Sequence, residues 1–338
     1  MASTRFACFG ELLLRLSAPG RERLLQTPRF DVCIGGAEAN VAVALAGFGH
    51  EAEMISVVPD NDLGAVVVGE LRRHGVGTTR IATRAGRMGL YFLEAGAAQR
   101  PSQVLYDRAG SAFAETSASS YDWQKLLVDA QVLVVSGVTP ATGANGAAAA
   151  LAAVRAARTQ GLHVVFDGNF RAKLWQAWAS DPARILGEIF ACADTVFADQ
   201  RDIGIVLSRE FAGPPDQAAH SAAEAAFAAY PQLTRIVATR RVQHHVDHHE
   251  LSARLHTRAG SIEAPAETIT PIIDRIGTGD AFAAGVLHGI VAGMSDCDAL
   301  GFGLAAGCLK HSVPGDFLRL SIDDVSGFLG ARRFDVRR

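Results

Sequence analysis

The chain has 338 residues, with 32 Lys and Arg against 35 Asp and Glu, a formal charge of −3, and no long basic block. It is therefore expected to hold one large core with a small appendage, or two domains, and not to bind nucleic acid. Its five cysteines are scattered without a Cys-x-x-Cys pair, which points to reduced thiols in a cytoplasmic protein. No run of about 18 apolar residues occurs, and Gly10, Glu11 and Arg15 interrupt the first apolar stretch, so neither a membrane span nor a leader is expected.

Along the chain, residues 6–16 read as a strand, 37–46 as a helix closed by Gly49, 53–58 as a strand and 63–74 as a helix. Segments 15–35 and 86–110 depart from that rhythm. Glycines at 86, 89, 96 and 110 punctuate short stretches, and Gly89-Leu90-Tyr91-Phe92-Leu93-Glu94 alternates as a half-buried strand does. These two segments are expected to form a small sheet over the edge of the main one. From residue 130 onward, β-branched runs at 132–135, 164–166, 195–197 and 236–239 alternate with Ala-rich stretches at 144–160, 182–192, 202–207 and 217–230. Short apolar runs joined by helical crossovers make a doubly wound, mostly parallel α/β sheet in a single domain.

The turn with the most chemistry is Asp274-Arg275-Ile276-Gly277-Thr278-Gly279-Asp280, which opens a helix of small residues. Glycine lets the backbone turn sharply against a ligand, and the free amides and dipole of a helix start attract phosphate. A carboxylate in the first turn, Asp280, can take a proton from an attacking hydroxyl while the amides of Gly277, Thr278 and Gly279 stabilise a transferring phosphoryl group. Read alone, the same turn also fits a capped helix with no chemistry.

A second glycine motif, Gly35-Gly36-Ala37-Glu38-Ala39-Asn40-Val41-Ala42, lies near the other end of the chain. With this pair of motifs the chain resembles the ribokinase-like (PfkB) carbohydrate kinase family from about residue 6 to 329. The resemblance implies a three-layer α/β/α sandwich with a β-sheet lid, ATP and Mg²⁺ as cofactors, and Asp280 as catalytic base. Six islands resemble 2-keto-3-deoxygluconate kinases within that family: Gly10-Glu11, the run from Gly36 to Asn40, Gly89-Leu90-Tyr91-Phe92, Tyr106-Asp107-Arg108, Gly137-Val138-Thr139-Pro140 and the run from Asp167 to Trp175. That likeness implies a sugar-acid pocket lined by Gly36, Tyr91, Tyr106, Arg108 and Arg171, with Asp316 reaching the hydroxyls. It also puts Asn169, Arg171, Thr239, Gly277 and Gly279 beside the nucleotide.

An acidic sugar needs a cation for its carboxylate, and the planar guanidinium of Arg108 suits that task. Each assignment has a plainer alternative. Arg108 and Arg171 also read as solvated surface cations, Tyr91 and Tyr106 as lid core, and the Pro314-Gly315-Asp316 run as an ordinary turn. Where the family carries Asn-x-x-Glu, this chain has Asp199-Gln200-Arg201-Asp202, which leaves Asp202 to reach Mg²⁺ through water. The family's glycine-containing nucleotide loop is missing after Thr239-Arg240-Arg241. A His-rich run, 244–250, follows and reads as a solvated hairpin or, alternatively, a metal site. Gly301-x-Gly303-x-x-Ala306 stops short of a dinucleotide fingerprint.

The expected activity is ATP-dependent phosphorylation of 2-keto-3-deoxygluconate on its terminal hydroxyl, with small-molecule sugar acid and ATP as partners and a homo-oligomeric assembly. The alternatives are a kinase for the galactonate epimer or for a neutral sugar of the fructose or ribose type. A third, of another class, is a catalytically silent sugar-binding protein.

Overall fold

The computed structural model describes residues 3–330. In chain order its strands are β1 Arg5–Phe9, β2 Leu13–Ser17, β3 Asp31–Gly35, β4 Glu51–Pro59, β5 Ile81–Arg84, β6 Gly89–Glu94 and β7 Gln103–Asp107. They continue as β8 Val132–Ser136, β9 His163–Asp167, β10 Thr195–Phe197, β11 Arg235–His245, β12 His248–Thr257 and β13 Gly260–Ile269. Nine strands form one sheet in the order β13-β12-β11-β10-β9-β8-β1-β4-β5, and four form a second in the order β3-β2-β6-β7. From β5 through β11 the pairing in the large sheet is parallel, while β12 and β13 extend it antiparallel.

Strand sequence explains the layering. β8 is buried at all five positions, as a strand covered on both faces must be. Along β1, Phe6 and Cys8 enter one core and Ala7 and Phe9 the other, because successive side chains alternate. The first core is roofed by the helices Ala37–Gly47, Thr278–Val291 and Asp296–Lys310, the second by Ala144–Thr159, Pro182–Phe190 and Pro215–Ala229. This is an α/β/α sandwich with a smaller sheet attached.

Small residues set the packing of the two C-terminal helices. A Cβ on Gly285 would lie 2.8 Å from the Cα of Gly303, and one on Gly289 would lie 2.6 Å from the Cα of Ala299. Their backbones therefore touch, and the glycine run around Gly303 serves helix contact instead of dinucleotide binding.

Residues 6–16, expected as one strand, are two strands in two sheets. At Gly10 a Cβ would fall 2.0 Å from Glu38 Oε2, and Glu11 turns inward to an ion pair. The chain leaves the main sheet at that point and enters the small one. The His-rich run is a hairpin between β11 and β12, but it is not solvated throughout: His249 is buried against the core side and neither of its ring nitrogens has a partner. Burial, then Arg241 and His311, push its pKa down to about 4, so the ring is neutral.

Candidate active site

The parallel strands end where the small sheet begins, and the chemistry-bearing residues collect in that angle. Gly277 caps the helix Thr278–Val291 in the left-handed region at φ 76°, and a Cβ there would lie 2.1 Å from the carbonyl oxygen of Asp316. Glycine is required twice over. Thr278 donates its hydroxyl to the carbonyl of Arg275 at 3.0 Å, and Gly279 is exposed with nothing within 4 Å of a built Cβ. The helix start is fixed from behind and open in front.

Asp280 follows in the first turn and is buried. Asn40 Nδ2 donates to its Oδ2 at 2.6 Å. Burial raises the Asp280 pKa to about 7, against the pull of Asn40 and Arg171 toward the charged form. A carboxyl poised there exchanges its proton near neutrality, which suits a general base.

Asn40 belongs to the helix Ala37–Gly47, whose N-cap Gly36 has φ 147° and whose Cβ would sit 2.4 Å from the carbonyl oxygen of Glu11. Next to it Glu38 is buried and accepts from Ser136 N and Oγ, both at 2.8 Å, and from Thr139 Oγ1 at 2.7 Å. One carboxylate thus ties the first glycine motif to the Gly137-Val138-Thr139-Pro140 island.

The small sheet turns one face to this angle. Tyr91 and Tyr106 are cross-strand partners on β6 and β7, and Tyr91 donates its hydroxyl to Asp316 Oδ2 at 2.6 Å. Burial, followed by Asp316, holds the Tyr91 pKa well above its usual value, so it stays a donor. Arg108 is buried, with Nε donating to Glu11 Oε2 at 2.6 Å; Ser111 Oγ donates to the other oxygen of Glu11. Among the described residues no hydrogen-bond partner engages the Nη atoms of Arg108.

At the far side, Arg171 is the exposed N-cap of the short helix Ala172–Trp175, two residues after Asn169, whose φ is +35°. Its charge reaches Asp167, Asp202 and Asp280. Asp167 is held well above the carboxylate range by burial and then by Asp280 and Asp202. Asp202 is raised to about 6 by burial and then by Asp199. Asp199 and Asp202 form a reciprocal capping box on the helix Gln200–Val206. Among the described residues no group of three or more His, Cys, Asp or Glu is arranged to hold a metal ion directly.

Register puts Thr239 and Arg241 of β11 on the same face as Ala253 and Leu251 of β12, the face turned to the helix Asp296–Lys310. Arg241 feels Arg275 and Arg201, and Arg275 feels Arg171; burial and then these like charges lower the pKa of both. Neither Arg171, Arg241 nor Arg275 has a salt bridge among the described residues.

The candidate residues therefore surround one angle of the fold, although a cavity of about 460 Å³ lies elsewhere. That cavity is lined by His220, Phe227, His256 and Arg258, near the start of β11, at the other end of the sheet from Asp280. Sequence reasoning missed Asn40 as the partner of Asp280, although it stood inside a motif already singled out. Glu11, Asp167 and Asp274 likewise stood inside quoted motifs without a role of their own, and Arg15 stood outside them.

The pfkB family carbohydrate kinase model matches residues 3–318. A 2-dehydro-3-deoxygalactonokinase of Haloferax volcanii is 33% identical over 321 residues, covering 95% of each chain. A 2-dehydro-3-deoxygluconokinase of Bacillus subtilis is 27% identical over 330 residues, covering 96% of this chain and 95% of its own. Among solved structures, that of 2-dehydro-3-deoxygluconokinase from Thermotoga maritima superposes with a TM-score of 0.91 at 36% identity, covering 97% of this chain and 98% of that one.

Proposed function

Since the chain belongs to the pfkB family of carbohydrate kinases, we propose that it transfers the terminal phosphoryl group of ATP to the terminal hydroxyl of 2-keto-3-deoxygluconate, the 2-dehydro-3-deoxygluconate of its relatives' names. The observation that carries this reading is Asp280, a buried carboxyl of pKa about 7 set one turn into an open helix start.

In this mechanism Asp280 accepts the proton of the sugar hydroxyl as the hydroxyl oxygen attacks the γ-phosphorus, and the bond from that phosphorus to the β–γ bridging oxygen breaks to release ADP. The amides of residues 277–280 face the charge that develops on the transferring group. Arg171, Arg275 and Arg241 draw in the triphosphate, whose charges relieve the repulsion among them. Thr239 and Asn169 flank the nucleotide. Magnesium fits the donor set here, because Asp202 and Asp167 offer hard oxygens whose raised pKa values fall back when a cation arrives. These residues would hold the ion through water, and the ion would neutralise phosphate charge. On the lid side, Arg108 pairs with the sugar carboxylate, while Gly36, Tyr91, Tyr106 and Asp316 shape the pocket.

A second reading, the galactonate epimer as preferred substrate, is favoured by the Haloferax relative. A coupled assay of ADP release over both epimers, fructose and ribose decides among these. A kcat/KM at least tenfold higher for the gluconate epimer supports the first reading; the reverse order supports the second. Preference for a neutral sugar would end both, and absence of turnover on any sugar would return the silent binding protein.

A further inference from the structure

Arg15 lies in the middle of lid strand β2, with a side chain only 4% exposed. Its Nη2 donates to Asp274 Oδ2 at 2.7 Å, and its Nη1 stands 3.1 Å from Asp316 Oδ1. Asp274 begins the loop that leads to Gly277: its Oδ1 accepts the amide of Ile276 at 2.9 Å and its Oδ2 accepts the amide of Gly315 at 3.0 Å. Asp316 takes the Tyr91 hydroxyl from the next lid strand, and its carbonyl oxygen lies where a Cβ of Gly277 would be. Below them Lys310, fully buried, donates to the carbonyls of Val313 at 2.9 Å and Gly315 at 2.7 Å. Two lid strands are therefore fastened through buried charges to both loops that shape the helix start.

Stability alone does not account for such a joint. Buried ion pairs are poor contributors to net stability, because desolvation offsets most of the attraction. This one also leaves Arg15 Nε and Nη1 and Asp316 Oδ1 buried without a hydrogen-bond partner among the described residues, a standing cost that an apolar contact would avoid. What buried charges do supply is a single arrangement, since any shift of Arg15 away from Asp274 breaks a 2.7 Å buried pair and leaves the guanidinium with Asp316 as its one remaining carboxylate among the described residues. Burial would lower the Arg15 pKa, yet the Asp316 and Asp274 carboxylates overcome it and hold the guanidinium charged.

We propose that Arg15 is a positioning residue that sets the loop 274–280 from the lid, so that the anion-binding amides and Asp280 reach transfer geometry only while the lid sheet is seated on it. The inference rests on the kinase reading for its catalytic consequence, but not for its structural one. The guanidinium of Arg15 contacts Cys33, Asp274 and Asp316, and it acts through the two carboxylates.

The test compares the wild-type protein with Arg15→Lys, Arg15→Ala and Asp274→Asn, the last keeping an oxygen for the Ile276 amide. Two quantities are read on each variant that melts cooperatively. The first is the ratio of sugar phosphorylation to sugar-independent ATP hydrolysis, measured with whichever sugar the wild type accepts. The second is amide hydrogen exchange over residues 274–282, which needs no turnover. We expect Arg15→Ala and Asp274→Asn to lower kcat about tenfold or more, with each KM moving less than about threefold, roughly the split expected when only transition-state contacts are lost. The ratio should fall with kcat, Arg15→Lys should recover part of both, and exchange over 274–282 should quicken several-fold. Losses that track only the folded fraction, with the ratio and the exchange unchanged, would overturn the proposal. If the wild type prefers a neutral sugar, the sugar-acid reading fails while the ratio still reads Arg15. If no sugar is turned over, the exchange over 274–282 alone decides it.

Discussion

At the lid end of the cleft Arg108 is held by Glu11 at 2.6 Å, and Arg15 is held between Asp274 and Asp316. At the helix-start end Arg171, Arg241 and Arg275 have no salt bridge among the described residues, and Asp167, Asp202 and Asp280 sit above the usual carboxylate range. Like charges crowd together there, and Arg171 offsets the three carboxyls only in part. The lid-end arginines already have carboxylate partners, whereas the other end holds an imbalance that, under the proposed function, a magnesium triphosphate would relieve. A pocket for a sugar of fixed shape gains from being preorganised. A site for a highly charged, exchanging nucleotide gains from an electrostatic deficit that only the right charge fills.

The comparison breaks most sharply at Asp280. Asp280→Asn keeps the size of the side chain and an acceptor for Asn40, so the fold and sugar binding should persist, while kcat falls about 10³-fold within the span typical of a lost general base. Because burial opposes the Asp280 charge, the variant should melt no lower than the wild type at pH 8. A coupled assay together with a melting curve checks both. Near-normal turnover would remove Asp280 from the mechanism.

The two ends should then separate by substrate. Removing an arginine at the helix-start end, as in Arg275→Ala or Arg241→Ala, should raise the KM for ATP by about tenfold, equivalent to roughly 1.4 kcal/mol, and leave the KM for the sugar nearly unchanged. Arg108→Ala should do the reverse. It should raise the KM for a sugar acid by about 10- to 100-fold, the range for a lost hydrogen bond to a charged group, with little effect on any neutral sugar. It should also lower the melting temperature, since Glu11 is left buried with only Ser111 as partner. The helix-start arginines leave no such orphan and should cost little stability. Steady-state kinetics in both substrates would expose an error if the two sets of variants moved the same KM.

What the sequence announced was local. The apolar runs of β8 and β9 and the glycine turn at Gly277 carry their meaning within a few residues, because strand burial and helix capping are short-range effects. What it hid was long-range: Asn40 meets Asp280 across 240 residues and Arg15 meets Asp274 across 259. No periodicity foretells such a pair. Arg15 was read only as an interruption of an apolar run, yet it is buried as deeply as its neighbours because its carboxylates are supplied by the other end of the chain. The break at Gly10 was invisible for the same reason, since the group that forbids a side chain there is Glu38 on another element. His249 escaped because β12 alternates between core and surface, and register alone decides which histidine of a polar run faces inward.

The smallest expected effect probes how the two halves of the site share one proton. A carboxyl serves as a base only when ionised, so if Asp280 is the base, kcat/KM measured at low substrate should fall as pH drops through about 7. Asn40 holds that pKa down by donating to the carboxylate, and Arg171 does so by its charge. Losing either partner favours the protonated form, so Asn40→Ala and Arg171→Ala should each move the acid limb to higher pH. For Asn40→Ala the shift should come without a change in the KM for ATP, since Asn40 is uncharged and its side chain donates to Asp280. For Arg171→Ala the same shift should be accompanied by a weaker hold on ATP. At pH 9, where Asp280 is ionised in every variant, Asn40→Ala should regain most of its lost kcat/KM and Arg171→Ala only part. A limb that stays near 7 in both variants would mean that the titrating group is not Asp280.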